Sequence, residues 1–308
     1  MNKLISIMSA AVLTASAVQI APANAAPDPM VYVPSVSFKA EASDYARVLS
    51  DGSVVINKRD FPKDTDLALK CSIYVHDESL AAGVVTPQWK SSSPLLALDN
   101  LVNVYKPPVE FAYAQKNDKG ELFARYTVIV SNNKDLNIMS FVCMSASMSG
   151  DTSSLVPYGE ASDSFPLTSF DVKIDPSIEE GDQKIFFIVE DVDYENQSRT
   201  EIYLNTEDGD RKLIPEVNDL KISIADYKLG DVDEDGSISS ADATQALIAY
   251  SELSVGSEVS LSNNQQFAAD VNGDTQINSS DATAILAYYS YLSTFSGETP
   301  LSIEEYTK

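Results

Sequence analysis

A twelve-residue pattern that occurs twice near the C-terminus constrains this chain more than any other feature. Asp231-Val232-Asp233-Glu234-Asp235-Gly236-Ser237-Ile238-Ser239-Ser240-Ala241-Asp242 runs into Ala243-Thr244. Asp270-Val271-Asn272-Gly273-Asp274-Thr275-Gln276-Ile277-Asn278-Ser279-Ser280-Asp281 runs into Ala282-Thr283. Both copies place oxygen-bearing side chains at loop positions one, three, five, nine and twelve, and a branched apolar residue, Ile238 or Ile277, at position eight. That is the order of an EF-hand loop. Calcium is a hard cation that takes about six to eight oxygens, and a short loop converges that many only by alternating its side chains around the ion.

The pattern therefore predicts two calcium ions. In loop one, Asp231, Asp233 and Asp235 are expected as direct ligands. Ser237 offers its carbonyl, Ser239 acts through water, and Asp242 closes the site. The corresponding residues of loop two are Asp270, Asn272, Asp274, Gln276 by its carbonyl, Asn278 and Asp281. Position twelve is Asp rather than the long Glu of sensor loops. Loop two also carries Thr275 where the sharp turn favours Gly, and one carboxylate fewer. A β-branched residue at positive φ is strained, so loop two is expected to be the weaker site.

Each loop leads directly into a helical pattern. Ala243, Leu247, Tyr250 and Leu253 fall on one stripe, and Ala282, Ile285, Leu286, Tyr289 and Leu292 on another. No helical pattern precedes loop one, and Leu261 to Ala269 reads as a short connecting helix. Duplicated loop–helix units with Asp at position twelve resemble dockerins, the modules that plug cellulosomal proteins into cohesins. The resemblance spans roughly Leu229 to Phe295. It implies calcium-dependent docking through loop positions ten and eleven and the following helix face. Here those residues are Ser240, Ala241, Leu247 and Ile248 in the first repeat, and Ser279, Ser280, Leu286 and Ala287 in the second. Packing between the helices is the competing role for Leu247 and Leu286.

Upstream the texture is β. Alternating or β-branched runs occur near Val31–Phe38, Leu67–Val75, Val109–Gln115, Leu122–Val130, Ile138–Met144, Leu167–Ile174, Lys184–Val189, Glu201–Leu204 and Leu220–Ile224. Turn chemistry at Asn117–Gly120, Glu180–Asp182 and Glu207–Asp210 separates them. Short strands at this spacing predict an all-β sandwich or jelly roll, largely antiparallel. Pro34, Pro87 and Pro166 belong at edges or bulges, and residues 150–164 read as an exposed loop. The expected organisation is a signal peptide over 1–25, a β module over 26–225, a helical calcium module over 226–297 and a tail over 298–308. An apolar run after Lys3 and the small-x-small site at Ala23-Asn24-Ala25 carry the signal-peptide reading, and with it a secreted, extracellular location. Surface attachment would then come only through a scaffold.

Parts of the β region are similar to cohesins. Ala82-Gly83, Trp89-Lys90 and Leu95–Leu98 are similar to an early cohesin strand pair. Residues 165–174, Glu180-Gly181 and Ile185–Phe187 resemble the late strands, with Leu220–Ile224 as the closing strand. The Tyr-Asp usual after the Ala-Gly strand is missing. This resemblance implies an adaptor scaffoldin. Such a protein docks to a larger scaffold through its dockerin and receives dockerin-bearing enzymes on its β module.

Composition bounds the alternatives. A formal net charge of −25 excludes a nucleic-acid binder, whose affinity rests on phosphate neutralisation, and argues against binding to an anionic membrane. A single histidine, His76, nearly removes His-based nucleophilic or metal catalysis, and no catalytic residues are assigned. A glycosidase needs only two carboxylates, but charge runs such as Glu190–Asp193 and Glu207–Asp210 read as solvated turns. A dockerin-bearing protein whose β module binds polysaccharide, or is a small carbohydrate-active enzyme, is the alternative reading. Trp89 is the sole tryptophan and is assigned to the core, which leaves Tyr105 and Tyr113 as possible aromatic contacts. Cys71 and Cys143 lie in strand-like runs and are either a disulfide or two buried thiols.

Overall fold

The computed structural model describes residues 35–62, 66–76, 81–82, 84–104, 113–116, 122–124, 126–145, 156–157, 166–189, 200–206 and 209–307. The signal-peptide assignment, Pro34, Tyr105, the turns at 117–120 and 190–193 and most of the 150–164 loop lie outside these residues.

Two sheets face one another. The first runs, in spatial order, Glu216–Asn218, Ser35–Ala40, Ala68–His76, Thr168–Ile174 and Leu96–Asn103. The second runs Gly209–Leu213, Glu201–Thr206, Val84–Thr86, Ile138–Ser145, Gln88–Ser91, Gly181–Phe187, Leu220–Ala225, Val54–Asn57 and Ala46–Val48, with Tyr126–Asn133 pairing beside Ile138–Ser145. Pairing is antiparallel except at two places. Ser35–Ser37 runs parallel to Glu216–Asn218, and Ile222–Ala225 runs parallel to Val54–Asn57. The run Leu220–Ile224 is accordingly an interior strand, hydrogen-bonded on both sides.

Alternation explains why the sheets stack. Thr168, Phe170, Val172 and Ile174 are buried, while Ser169, Asp171 and Lys173 point away. Phe38, Trp89, Phe170 and Phe187 interlock at the centre. Phe38 stacks on Phe187 at 4.1 Å, and Trp89 lies 5.2 Å from Phe170. Trp89 is fully buried, which fits its assignment to the core. Cys71 and Cys143 are not joined in a disulfide and lie buried as thiols in this same core, the second of the two alternatives. Burial pushes the Cys71 thiol well above the usual range, so it stays protonated. Pro87 falls between two short strands, where its carbonyl accepts from the Phe141 N–H.

Short strands that lack a clean alternating run escape the sequence pattern. Ala46–Val48 and Val54–Asn57 are the important cases, because they join the two halves of the chain. Val54 and Ile56 enter the sandwich core, and Val55, one residue out of phase, enters a second core. That second core holds Leu49, Ala225, Tyr227 and Leu229 together with the C-terminal helices. No spacer separates the modules. Asn57 donates from Nδ2 to the Tyr227 carbonyl at 2.8 Å and accepts from the Tyr227 N–H at 3.2 Å.

Four helices follow: α1 Ser240–Ser254, α2 Asn263–Ala269, α3 Ser279–Thr294 and α4 Ile303–Tyr306. Residues 226–239 contain none, so loop one is entered from a strand. The segment expected as a tail contains the short helix α4. α4 caps the helical core, with Ile303 buried and Tyr306 stacked 5.2 Å from Tyr291. Tyr288 Oη donates to the Leu301 carbonyl at 2.7 Å. Gly230 makes this closure possible. It has φ +82°, and an added Cβ would lie 2.6 Å from Ile303 Cδ1.

Candidate metal centre

The two acidic loops are built alike. Position nine of each loop is also the N-cap of the helix, and position twelve is its third residue. Ser239 with Asp242, and Asn278 with Asp281, form capping boxes. The position-twelve carboxylates are fully buried and do a second job. Asp242 Oδ2 accepts from the Ser239 N–H at 2.7 Å, and its Oδ1 accepts from the Val232 and Asp233 N–H groups at 2.7 and 3.1 Å. Asp281 repeats this with Asn278, Val271 and Asn272. One short carboxylate thus ties the end of the loop to its beginning. This is a physical reason for Asp rather than Glu at position twelve: the longer side chain would overreach the backbone donors.

In loop one, oxygens of Asp231, Asp233 and Asp235 lie within 4.8 Å of one another. Asp231 is 3% exposed, and its Oδ1 is buried with no hydrogen-bond donor. A buried carboxylate oxygen without a partner is costly. A cation shared with Asp233 and Asp235 would satisfy it, so these residues fit a metal ion. Burial raises the pKa values of Asp231 and Asp233 above the ordinary range, with the neighbouring carboxylates adding to the shift. Lys228 lies 4.0 Å from Asp231 Oδ2 and acts against it.

Loop two is differently balanced. Asp270 Oδ1 accepts from the Gly273 and Asp274 N–H groups, and Oδ2 from the Thr275 N–H at 3.1 Å. Burial raises Asp270 and Asp281, while Arg47 opposes the rise at Asp270. Thr275 has φ 68°, the left-handed strain expected from its position. The sequence reading missed a matching strain in loop one. Position four is left-handed too, and it is Glu234 there, at φ 60°, but Gly273 in loop two. Each loop therefore carries one non-glycine residue in this region, at positions four and six respectively.

Ser237 and Gln276 sit at position seven of their loops, each N–H donating to the position-five aspartate, at 2.7 and 2.8 Å. Asn278 Oδ1 accepts from the Ser280 N–H, and Asn272 Nδ2 donates to Asp274.

The helix stripes divide between a buried and an exposed face. The buried face of α1 is Asp242, Ala243, Ala246 and Ala249, and that of α3 is Asp281, Ala282, Ile285 and Tyr288. Leu247, Ile248, Tyr250 and Leu253 of α1, and Leu286 and Tyr289 of α3, point outward. Leu247 and Leu286 are 44% and 47% exposed, so they are not interhelical packing residues. Small alanines form the buried apolar face of α1, opposite Ala282, Ile285 and Tyr288 in the same core. Ser240, Ala241, Ser279 and Ser280 are exposed and Ala287 half-buried on the same outer surface. Tyr250, Leu253 and Tyr289 extend it. The alanine column at 243, 246 and 249 was the available sequence signal.

His76 ends a sheet strand. Among the described residues no helix is long and apolar enough to cross a membrane.

Residues 229–288 match the family model of the dockerin type I domain. No curated protein matches the chain. Among solved structures, the chain is similar to the seventh ScaB type I cohesin from Pseudobacteroides cellulosolvens. That alignment has a TM-score of 0.38 and 11% identity over 63% of this chain and 94% of that one. It is similar also to a type I cohesin–dockerin complex, Coh-OlpA-Doc918, from Clostridium thermocellum, with a TM-score of 0.33 and 11% identity over 62% and 99%. A type III cohesin module from the ScaE anchoring scaffoldin of Ruminococcus flavefaciens aligns with a TM-score of 0.33 and 10% identity over 62% and 87%.

Proposed function

We propose that this protein is a non-catalytic, secreted adaptor of a cellulosome. Its C-terminal module docks to a cohesin of a larger scaffoldin. Docking requires two calcium ions, held by Asp231, Asp233, Asp235, Ser237, Ser239 and Asp242 in loop one and by Asp270, Asn272, Asp274, Gln276, Asn278 and Asp281 in loop two. The β sandwich receives a dockerin-bearing enzyme as a cohesin does.

The observation that carries the reading is the inversion of the helix faces. Alanine packs inside, and Leu247, Ile248 and Leu286 are displayed outside, at corresponding places in two repeats. Exposing branched apolar residues in both repeats costs solubility unless a partner covers them. Calcium's part is to set the angle at which each loop delivers its helix, because the ligands at positions nine and twelve are also the helix cap. The chain's own residues orient that surface, and the ion neutralises the carboxylates that would otherwise splay the loop. Burial of Trp89 removes the one tryptophan that could have formed a carbohydrate platform.

The test is retention of the full chain on immobilised scaffoldin cohesins, with calcium and with chelator. Ile248→Asp with Ala287→Asp should abolish retention through the C-terminal module. Capture of dockerin proteins by the β sandwich should survive those substitutions. Glycosidase or esterase turnover by the purified protein, or failure to retain any dockerin protein, would remove the adaptor reading.

A further inference from the structure

The edge of the β sandwich reaches into loop two. Arg47, on the edge strand Ala46–Val48, donates from Nη2 to the Asp270 carbonyl at 2.8 Å and from Nη1 to Tyr227 Oη at 3.4 Å. In the turn that follows, the Ser50 N–H donates to the Gly273 carbonyl at 3.0 Å. The Ser50 hydroxyl donates to the Asp274 carbonyl, also at 3.0 Å. The backbone at loop positions one, four and five is thus held by the other module. Leu49, between these two residues, is buried in the helical core.

The loops differ in sequence where this contact is made. An added Cβ at Gly273 would lie 3.2 Å from Arg47 Nη2 and 3.8 Å from Leu49. Loop one, which has Glu234 at that position, receives no hydrogen bond from the sandwich among the described residues. Glycine in loop two leaves room for this close approach and adopts its φ of 72° without the strain that Glu234 bears at φ 60° in loop one.

We propose that Arg47 and Ser50 are positioning residues for loop two. The N-terminal module thereby completes one calcium site from outside, and calcium at loop two is linked to the seating of the two modules on each other. This rests on the reading that loop two binds calcium. Linkage makes the coupling reciprocal: whatever factor the seated module adds to calcium affinity, calcium adds to seating. Arg47 also carries a positive charge beside the site, and by charge alone its removal would strengthen cation binding. Positioning and charge therefore predict opposite signs.

The experiment is calorimetric titration of the full chain with calcium in an Asp231→Ala background, which reads loop two. Arg47→Lys with Ser50→Ala keeps the charge and removes the fork and the hydroxyl. It should weaken loop-two binding about tenfold, the loss of roughly one net hydrogen bond's worth of positioning. Arg47→Met with Ser50→Ala should weaken it as well, despite the lost charge. In an Asp270→Ala background, which reads loop one, the same substitutions should leave affinity unchanged. Unchanged or tighter loop-two binding in either variant, or an equal loss at loop one, would overturn the inference while leaving the calcium assignment intact. No binding at all by the Asp231→Ala parent would overturn both.

Discussion

The sandwich and the helical module close their interiors by different means. The sandwich buries Trp89, Phe141, Phe170 and a run of branched aliphatics between two sheets, and its interior holds no buried charged side chain among the described residues. The helical module buries six alanines beside Leu229, Val232, Leu261, Val271, Ile277, Ile285, Tyr288 and Ile303, and places four aspartates inside as well. Alanine brings little apolar area with it. On the proposed reading, a small core that also contains Asp231, Asp242, Asp270 and Asp281 takes an outside contribution from the ion. The lesson is that charge can stand where hydrophobic area is lacking, at the cost of making the fold conditional.

The largest expected effect breaks the sandwich alone. Phe170→Ala removes a ring packed against both Phe38 and Trp89 and should cost about 3–5 kcal/mol. Denaturant unfolding followed by Trp89 fluorescence would register it, and calcium titration of the same variant should be unchanged.

Chelation should do the reverse. Free calcium at about a hundred times its dissociation constant adds roughly 2.7 kcal/mol to the state that binds it. Removing it should lower the melting temperature followed by helical circular dichroism, with the sheet signal persisting to higher temperature. A single coincident loss of both signals would show that the shared core at Val55, Leu49 and Ala225 makes one cooperative unit of the two.

Within the helical module the loops should separate. Loop one, with Asp231, Asp233, Asp235 and Asp242, is expected to bind more tightly than loop two, so calorimetry on Asp270→Ala should show a lower dissociation constant than on Asp231→Ala. Asp231→Ala should also change sign with conditions. It destabilises the calcium-loaded protein, yet under chelator it relieves a buried oxygen without a donor.

The smallest effects are in pH, and they run in opposite directions. Burial raises Asp231, Asp233, Asp270 and Asp281 in the metal-free module. A raised carboxylate favours the folded state while protonated. The calcium-free module should therefore gain stability as pH falls from neutral into the carboxylate range, and calcium affinity should decline over the same interval. In the sandwich, hydrogen bonds from Lys173, the Asn100 N–H and Lys134 lower Asp99 to about 2. That contribution is present above the ordinary carboxylate pKa and is lost as pH falls toward 2. Melting curves at several pH values under chelator would show the two transitions moving apart.

Much of this was legible beforehand. Loop ligation order is a matter of residue type at fixed spacing within twelve residues, and the two loops stand where that spacing places them. Strands such as Leu67–Val75 and Leu167–Ile174 advertise themselves by alternation. Three- and four-residue strands such as Ala46–Val48 and Val54–Asn57 do not, because too few positions exist to display a period. For Leu247 the sequence left docking and interhelical packing both open, because apolar periodicity marks a face without saying which side of the helix the neighbour occupies. The tertiary packing decides that, with Ala243, Ala246 and Ala249 turned inward.

The sequence alone determined the chemistry of each loop, the all-β character of the first two hundred residues and the change of texture after Ile224, since these depend on neighbours within a turn or a strand. Only the tertiary structure decided that Val55 and Ala225 belong to the second core, that residues 303–306 close it over Gly230, and that Arg47 and Ser50 lie against loop two. Those pairings join residues up to 224 positions apart. No local pattern encodes them, because what selects them is the fit of two finished surfaces.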